Sequence, residues 1–298
     1  MPSDSLAPMP TSLPRPLTGL PVRRLTPGDL VACSDLCEDR GWPRDEHRWG
    51  LLLAAGTGYG IDDPEGGGGL IATCVVTSYG PRLAAIGMLL VAGRHARQGL
   101  GRYLMRHVID EADGIPLSLY ATSEGRPLYE QLGFKAVGRA DRVTGRFRPT
   151  GDDGCAVDIR PATADDLRAL VRLDAEVFGS DRTHVLARLP AYADHLRVAE
   201  DDGGLVGYAA GWPSAGTQVI GPLIAPDSRT ARALVASLAE ATDLPLRADI
   251  DARHRALLAG LKKSGLRAVS ETTVMMCGVP DLPGDWTRRY APLTVAMG

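Results

Sequence analysis

No apolar run in the 298-residue chain reaches the roughly 20 residues that a membrane-spanning helix needs. An excess of one charge is missing too. Against 33 basic residues stand 36 acidic ones, a net charge of -3, so nucleic acid is not expected as a general partner. Cysteine is sparse: Cys33, Cys37, Cys74, Cys155 and Cys277 are scattered. Cys33 and Cys37 lie four apart without a second pair at metal-ligand spacing. They read as reduced structural thiols, and no metal is expected. The opening MPSDSLAPMPTSLPRPLTGLP lacks the basic start and solid apolar core of a secretory leader. It reads as a Pro/Ser-rich, disordered tail, and the expected location is the cytoplasm. The remaining composition, 44% hydrophobic and 23% charged, is that of a soluble globular protein long enough for two domains.

Residues 84–112, AAIGMLLVAGRHARQGLGRYLMRHVIDEA, run from an apolar stretch through a basic, glycine-bearing loop into a helical pattern. Leu83 to Val91 reads as a strand, with Gly87 marking a bulge or a close backbone approach. Beyond Gly101, Leu104, Val108 and Ala112 recur at helical spacing. Gly99 and Gly101 permit tight backbone geometry, and free amides at the helix start favour an oxyanion. Arg94, Arg97 and Arg102 add positive charge. No GxxxxGK[ST] pattern follows, which argues against an ATP-binding loop, and Tyr103 and Leu104 stand where a dinucleotide fingerprint needs its third glycine. From this stretch alone, a phosphate cradle and a plain turn with a solvated basic rim are both open.

A second stretch, LSLYATSEGRPLYEQLGFKAVG at residues 117–138, reads as strand, short helix and strand. Pro127 suits the first turn of that helix, and Gly133 ends it. A strand, short helix, LGF and strand placed after a Gly-x-Gly loop closely resemble the GNAT superfamily of acyl-CoA-dependent N-acyltransferases. The resemblance covers about residues 22 to 146. It implies an α/β (α+β) fold in which a twisted mixed sheet is flanked by helices and the cofactor lies in a split between two parallel strands. By the same resemblance Leu89, Leu90 and Val91 pair with the pantetheine of acetyl-CoA, and a bulged backbone amide, assigned to Leu90, faces the thioester carbonyl. The amides of Arg97, Gln98, Gly99, Leu100, Gly101 and Arg102 hold the pyrophosphate. Ala96 stands where the family places Gln or Arg, which removes one side-chain donor but not the amide cradle. Thr122 stands where the family often has Asn.

The implied chemistry is attack of a neutral amine on the acyl thioester. Oriented amides stabilise the oxyanion. Tyr129 matches the tyrosine that family members place beside the sulfur, and a phenol near pKa 10 is protonated at neutral pH and able to supply the departing thiolate. Its other reading is a half-buried helix aromatic. No base is singled out: Glu38, Asp39, Asp45, Glu46 and His47 fall near the family's substrate-binding helices, and a solvated helix end explains them equally well. Trp42 and Trp49 either wall the acceptor site or pack the helices.

The second half repeats the first. VRRLTPGDL at 22–30 is matched by IRPATADDL at 159–167, and GLIATC from Gly69 by GLVGYA from Gly204. IGMLLV from Ile86 is matched by IGPLIA from Ile220, and LGFKAV from Leu132 by SGLRAV from Ser264. Four matches in one order indicate duplication. The organisation expected is a tail at 1–20, a catalytic GNAT domain at 21–146, a linker at 147–154 and a degenerate GNAT-like domain at 155–298. Degeneracy shows where the repeat fails. PDSRTARA lacks the glycine pair and carries Asp227, and Leu261 stands opposite Tyr129. The pattern FGSDR, with Asp174, Asp181 and Arg182, resembles the C-terminal domain of a bacterial tandem-GNAT subgroup. Those three either line a shared acceptor cleft or serve as cap and ion pair. Trp286, Arg288, Arg289 and Tyr290 either cover a groove or form a terminal strand.

The function expected is acetyl transfer from acetyl-CoA to a small-molecule amine. The alternatives are a non-catalytic acyl-CoA sensor or scaffold, and a transferase using a longer acyl-CoA or an aminoacyl-tRNA. The second half completes the acceptor pocket, mimics a dimer partner or binds a regulator. The chain is either a monomer or a homodimer.

Overall fold

The computed structural model describes residues 17–66, 69–150 and 157–298. Cys155, residues 1–16 of the expected tail and residues 151–154 of the expected linker lie outside the described residues. Residues 17–20, also placed in the tail, are ordered: Leu17–Gly19 is a 3-10 turn, and the Leu20 carbonyl accepts a 3.0 Å hydrogen bond from the Tyr103 hydroxyl. The first half runs β1 Arg23–Arg24, α1 Leu30–Asp39, α2 Glu46–Ala55, β2 Thr57–Asp62, β3 Leu70–Ser78, β4 Ala84–Val91, α3 Leu100–Glu111, β5 Leu117–Ala121, α4 Arg126–Gln131 and β6 Lys135–Gly145. The second runs β7 Asp158–Pro161, α5 Leu167–Phe178, α6 Thr183–Leu186, α7 Leu189–Tyr192, β8 His195–Asp201, β9 Gly204–Ser214, β10 Thr217–Ile224, α8 Ser228–Glu240, β11 Leu246–Asp251, α9 Arg255–Lys263, β12 Arg267–Cys277 and β13 Arg289–Ala291. Element for element the second list repeats the first. It divides one helix into α6 and α7, and it adds β13.

The duplication extends to single contacts. Arg23 pairs with Asp29 at 2.7 Å and with Asp62 at the end of β2 at 2.8 Å. Arg160 pairs with Asp166 at 2.7 Å and with Glu200 in β8 at 2.8 Å. Asp29 and Asp166 each close a capping box, with Thr26 and Thr163 respectively. The matched Arg, Thr and Asp of VRRLTPGDL and IRPATADDL are therefore one device used twice.

The two halves share a single sheet in the order β1-β2-β3-β4-β5-β12-β6-β11-β10-β9-β8-β7. Replacing each strand by its counterpart and reversing the order returns the same list, so the sheet has a pseudo-twofold axis between β12 and β6. At that axis the halves exchange strands. β6 pairs with β11 and not with its own β5, while β12 pairs with β5. β6 and β12 have 11 residues each, whereas β5 has 5 and β11 has 6. The two long strands lie side by side along nearly their whole length, from Arg267 opposite Thr144 to Met276 opposite Lys135, and each pairs along its other edge with the short strand of the opposite half. Cross-pairing leaves neither half with an open edge at the centre.

The main apolar core also ignores the half boundary. It joins Trp49, Leu52 and Leu104 of the first half to Phe178, Tyr208, Trp212 and Leu293 of the second. A smaller core lies under α8 and α9, around Leu234, Leu238, Leu257 and Leu261. Polar contacts tie the halves as well. The Ser214 hydroxyl donates to Asp45 at 2.7 Å, and His47 packs on Tyr192 with ring centroids 4.3 Å apart. No helix among the described residues is long and apolar enough to cross a membrane.

Candidate active site

β4 and β5 pair in parallel only from Ala84 and Leu117 to Ile86 and Leu119. Beyond that they diverge and open a cleft of about 700 Å³. The ladder between β3 and β4 slips here: Val75 pairs with Gly87 and Thr73 with Leu90, so Met88 and Leu89 together oppose Cys74. Two residues against one make a β-bulge. Met88 takes φ 52°, and its carbonyl accepts from the buried Thr73 hydroxyl at 3.0 Å. The bulge thus falls just after Gly87 and just before Leu90. Gly87 serves the other purpose expected of it, a close backbone approach. A Cβ there would lie 2.5 Å from the Ala296 Cα.

The far end of the cleft is the start of α3. Gly99 is its N-cap at φ 85°, and no side chain caps it, so its first amides are left for a ligand. A Cβ at Gly101 would sit 3.4 Å from Leu128 and 3.6 Å from Val91. The backbone here packs close to the cleft wall, and the residues fit a pyrophosphate cradle. Leu89, Leu90, Val91, Arg97, Gly99, Leu100, Gly101, Arg102, Thr122 and Tyr129 all line the one cleft. Gln98 is not brought to its wall; the Gln98 side chain turns back and donates to the Arg94 carbonyl at 3.2 Å. The Arg102 guanidinium is engaged by Gln131.

Tyr129 projects from α4 into the same cleft. Its ring packs edge-on to Phe134 at 6.1 Å and lies 3.2 Å from where a Gly125 Cβ would be. Its hydroxyl has no hydrogen-bond partner among the described residues. Burial drives the phenol well above the usual tyrosine range, because the charged form would be poorly solvated there. The hydroxyl therefore keeps its proton through alkaline pH. Thr122 accepts from the Gly125 amide at 3.1 Å and so shapes the turn that launches α4.

The acidic candidates for a base are spoken for elsewhere. Asp39 accepts from the Gly93 amide at 2.6 Å, Asp45 caps α2, and Glu38 and Glu46 both face Arg44. None of these, nor His47, lines the cleft. From the same stretch Arg40 and Trp42 do line it, and Arg40 pairs with Glu124 at 3.6 Å. Trp49 is fully buried and donates its indole N–H to the Cys37 sulfur at 3.3 Å, a packing role. Cys33, Cys37 and Cys74 are buried free thiols.

In the second half every corresponding feature is filled. β10 and β11 also pair in parallel briefly, from Gln218 and Leu246 to Ile220 and Ala248. Where they would part, β13 pairs antiparallel with β10 at Leu223 and Ile224. The start of α8 is capped by Asp227, which accepts from the Arg229 and Thr230 amides at 2.9 Å each. Leu261 is 0% exposed in the core under α8 and α9. His254, which burial holds below the usual histidine pKa, secures the inserted strand. Its Nε2 lies 2.9 Å from the Arg289 carbonyl, and its ring stacks on Tyr290 at 3.8 Å. Of the late residues, Arg289 and Tyr290 thus lie in a terminal strand, whereas Trp286 and Arg288 lie in the turn before it.

The FGSDR motif is structural. Arg182 makes a buried bidentate pair with Asp174 at 2.7 and 2.8 Å, and Asp181 caps the next turn through the Thr183 amide at 2.8 Å. Arg182 also donates to the Gly298 carbonyl at 3.0 Å. Several residues that line the cleft carry no signal in the sequence, among them Arg40, His95, Tyr120, Glu124, Val295 and Ala296. Tyr120 sits on a recognisable strand, but Val295 and Ala296 arrive from the far end of the chain, where no local pattern signals their destination.

Two family profiles, each described as an acetyltransferase (GNAT) domain, match residues 72–146 and 170–291. The N-acetyltransferase YitH of Bacillus subtilis, itself described as uncharacterized, is 29% identical over 243 residues, spanning 80% of this chain and 85% of that one. Among solved structures, an assigned acetyltransferase of Pyrococcus horikoshii superposes with a TM-score of 0.78 at 20% identity, covering 94% of this chain and 96% of its own. A tandem GNAT protein from the clavulanic acid biosynthesis pathway gives 0.63 at 13% identity, covering 88% and 99%. The last two likenesses speak to fold.

Proposed function

Because this chain belongs to the GNAT acetyltransferase family and carries two of its domains in tandem, we propose that it transfers the acetyl group of acetyl-CoA to the amine of a small molecule, in the first half only. One observation carries this reading. The split between β4 and β5, the uncapped start of α3 and the Tyr129 hydroxyl open onto one cleft. In the second half the counterparts of all three are closed by the protein's own groups.

Acetyl-CoA, when bound, supplies the activated acyl carbon. The chain's own residues do the rest. The amides at the start of α3 hold the pyrophosphate, aided by Arg97 and Arg102. The backbone after the bulge, at Leu90, directs an amide at the carbonyl oxygen, where negative charge develops. Tyr129 holds a proton for the departing sulfur. The acceptor amine must arrive neutral, since only a free lone pair attacks the carbonyl; no acidic residue from the α1–α2 region lines the cleft, whereas His95 and Glu124 do.

The test is calorimetric titration of acetyl-CoA into the wild-type protein and Gly99→Glu. Wild type is expected to bind one equivalent. The variant places a bulky carboxylate at the cradle and leaves the second half unchanged, so affinity should fall about 100-fold or more. Equal affinity in two folded proteins, or two equivalents per wild-type chain, refutes the reading.

A further inference from the structure

The segment after β13 leaves the second half and ends in the first. A Cβ at Gly221 of β10 would lie 2.7 Å from the Leu293 carbonyl, while one at Gly87 of β4 would lie 2.5 Å from the Ala296 Cα. The segment therefore lies across the equivalent glycine of each half in turn. Beyond Ala296 it is tied down twice more. Tyr79, 1% exposed, donates its hydroxyl to the Met297 carbonyl, and Arg182, also 1% exposed, donates to that of Gly298 at 3.0 Å. An internal turn stiffens it, with the Met297 amide donating to the Thr294 carbonyl at 3.0 Å. Between these anchors Val295 and Ala296 face the cleft.

Their position along β4 matters. The cleft runs from the phosphate cradle, past Val91 and Leu90, to the bulge at Met88 and Leu89. Ala296 touches the strand at Gly87, one residue beyond the bulge. Leu90 stands opposite Thr73 and Gly87 opposite Val75, so the wall lies two partner-strand residues, about 6.6 Å, from the amide at the thioester, which leaves room for a chain of about three carbons past the carbonyl but not for a longer one. The charged lining residues Arg40, His95, Arg97, Arg102 and Glu124 come from helix ends and the loops beside them, whereas Ile86, Gly87, Leu119, Tyr120, Val295 and Ala296 line this end. A neutral acyl group suits such walls, and a carboxylate would be left without a partner.

We propose that Val295 and Ala296 form the end wall of the acyl pocket, so that the second half sets how long an acyl group the first half accepts: short and uncharged. The proposal rests on the acyl-CoA reading above and assigns the second half a direct part in donor selection. Backbone contact at Gly87 fixes the wall's position, and the Val295 side chain sets its depth.

The experiment measures binding of CoA, acetyl-CoA, butyryl-CoA and hexanoyl-CoA by calorimetry to wild type, Val295→Gly and Val295→Phe. Each affinity is expressed relative to CoA itself in the same protein. In wild type, hexanoyl-CoA is expected to bind at least tenfold more weakly than acetyl-CoA. Val295→Gly should reduce that gap to threefold or less. Val295→Phe should extend the penalty to butyryl-CoA. Transfer rates to one amine with the same donors should follow the same order. Wild type binding hexanoyl-CoA as tightly as acetyl-CoA, or a chain-length profile unchanged in both variants, overturns the wall while leaving acyl-CoA binding intact. Failure of wild type to bind CoA at all overturns this proposal and the functional reading together.

Discussion

The two halves of this protein differ most where their folds agree best. β4 and β10 occupy equivalent places, diverge from equivalent neighbours and bend at equivalent glycines. One gap is open and the other contains β13. At the helix that follows, Gly99 leaves amides free while Asp227 satisfies them. A buried leucine replaces the tyrosine. Each ligand contact proposed for the first half has, at the equivalent place in the second, a contact within the chain. A strand hydrogen-bonds along β10 in the position that pantetheine takes along β4 in the proposed complex, and a carboxylate takes the position of the pyrophosphate. Unpaired strand and helix-end groups are costly when buried. Filling its own slot satisfies those groups in the second half, which in the proposed reading binds no cofactor. The segment that fills it continues into the other half and walls the open cleft, so the closed half remains coupled to the site it does not contain.

The largest test of that coupling is to separate the halves. Residues 1–150 alone would leave β6 without β12 and β11, and β5 without β12. The core residues Phe178, Tyr208 and Leu293 would be lost as well. This fragment is expected to show no cooperative unfolding transition and no acetyl-CoA binding. Co-expression with residues 151–298 should restore both through re-pairing of the exchanged strands. A fragment that folds and binds alone would mean that the shared sheet is an accessory to two independent units.

The sequence reveals one half of this picture and conceals the other, for a physical reason. Helix starts, short strands and turns are written in nearby residues. Gly99 and Gly101, Pro127 and Gly133, and the strand Leu117 to Ala121 sit where the pattern places them. Repeats are equally local signals, and the match of Arg23 with Arg160 anticipates their equivalent ion pairs. Strand exchange is different. LGFKAV and SGLRAV each read as the last strand of their own half, and nothing in either stretch says which β5 or β11 it joins. The pairing joins residues far apart in the chain, such as Met275 with Leu119 and Ala268 with Val143. The cleft wall at Val295 and Ala296 is hidden for the same reason. The two apolar residues acquire a role only from Tyr79, Gly87 and Arg182, all more than 100 positions away.

A smaller but sharper test compares Tyr129 with Leu261. Tyr129→Phe keeps the ring and removes the hydroxyl, making the open half resemble the closed one in this respect alone. Fold and acetyl-CoA affinity should persist. The single-turnover rate at saturating donor and amine should fall about 100-fold, the usual worth of a positioned proton donor. The pH dependence follows from burial. A phenol held above its usual range stays protonated, so the wild-type rate constant should show no falling limb up to about pH 10. Because the amine must be neutral, kcat/KM should rise with pH up to the acceptor's own pKa and then level off. An unchanged single-turnover rate in Tyr129→Phe would assign the proton to water and remove the main chemical distinction drawn between the halves.

The smallest expected effect probes where the halves should behave alike. Asp29 is held down to about 2, first by hydrogen bonds from Arg23 and then by its capping contacts with Thr26. Asp166 is held well below the usual carboxylate range by Arg160 in the same way. A carboxylate whose folded pKa is depressed contributes stability above its unfolded pKa of about 3.9, and that contribution is lost as pH falls towards the folded value. Asn in place of Asp keeps one side-chain oxygen for the Thr amide, but removes the charge and one of the oxygens that accepts from the arginine. With Arg23 38% exposed, screening limits what the charge contributes. Asp29→Asn and Asp166→Asn should therefore each lower stability by about 0.5–1 kcal/mol at pH 6. Both penalties should shrink between about pH 4 and pH 2, where the wild-type carboxylates take up protons. Urea unfolding of the full chain at several pH values measures this. Because the strands are exchanged and the main core is shared, both substitutions should move a single transition. A second transition moved by only one of them would show that the halves unfold separately, despite the sheet that joins them.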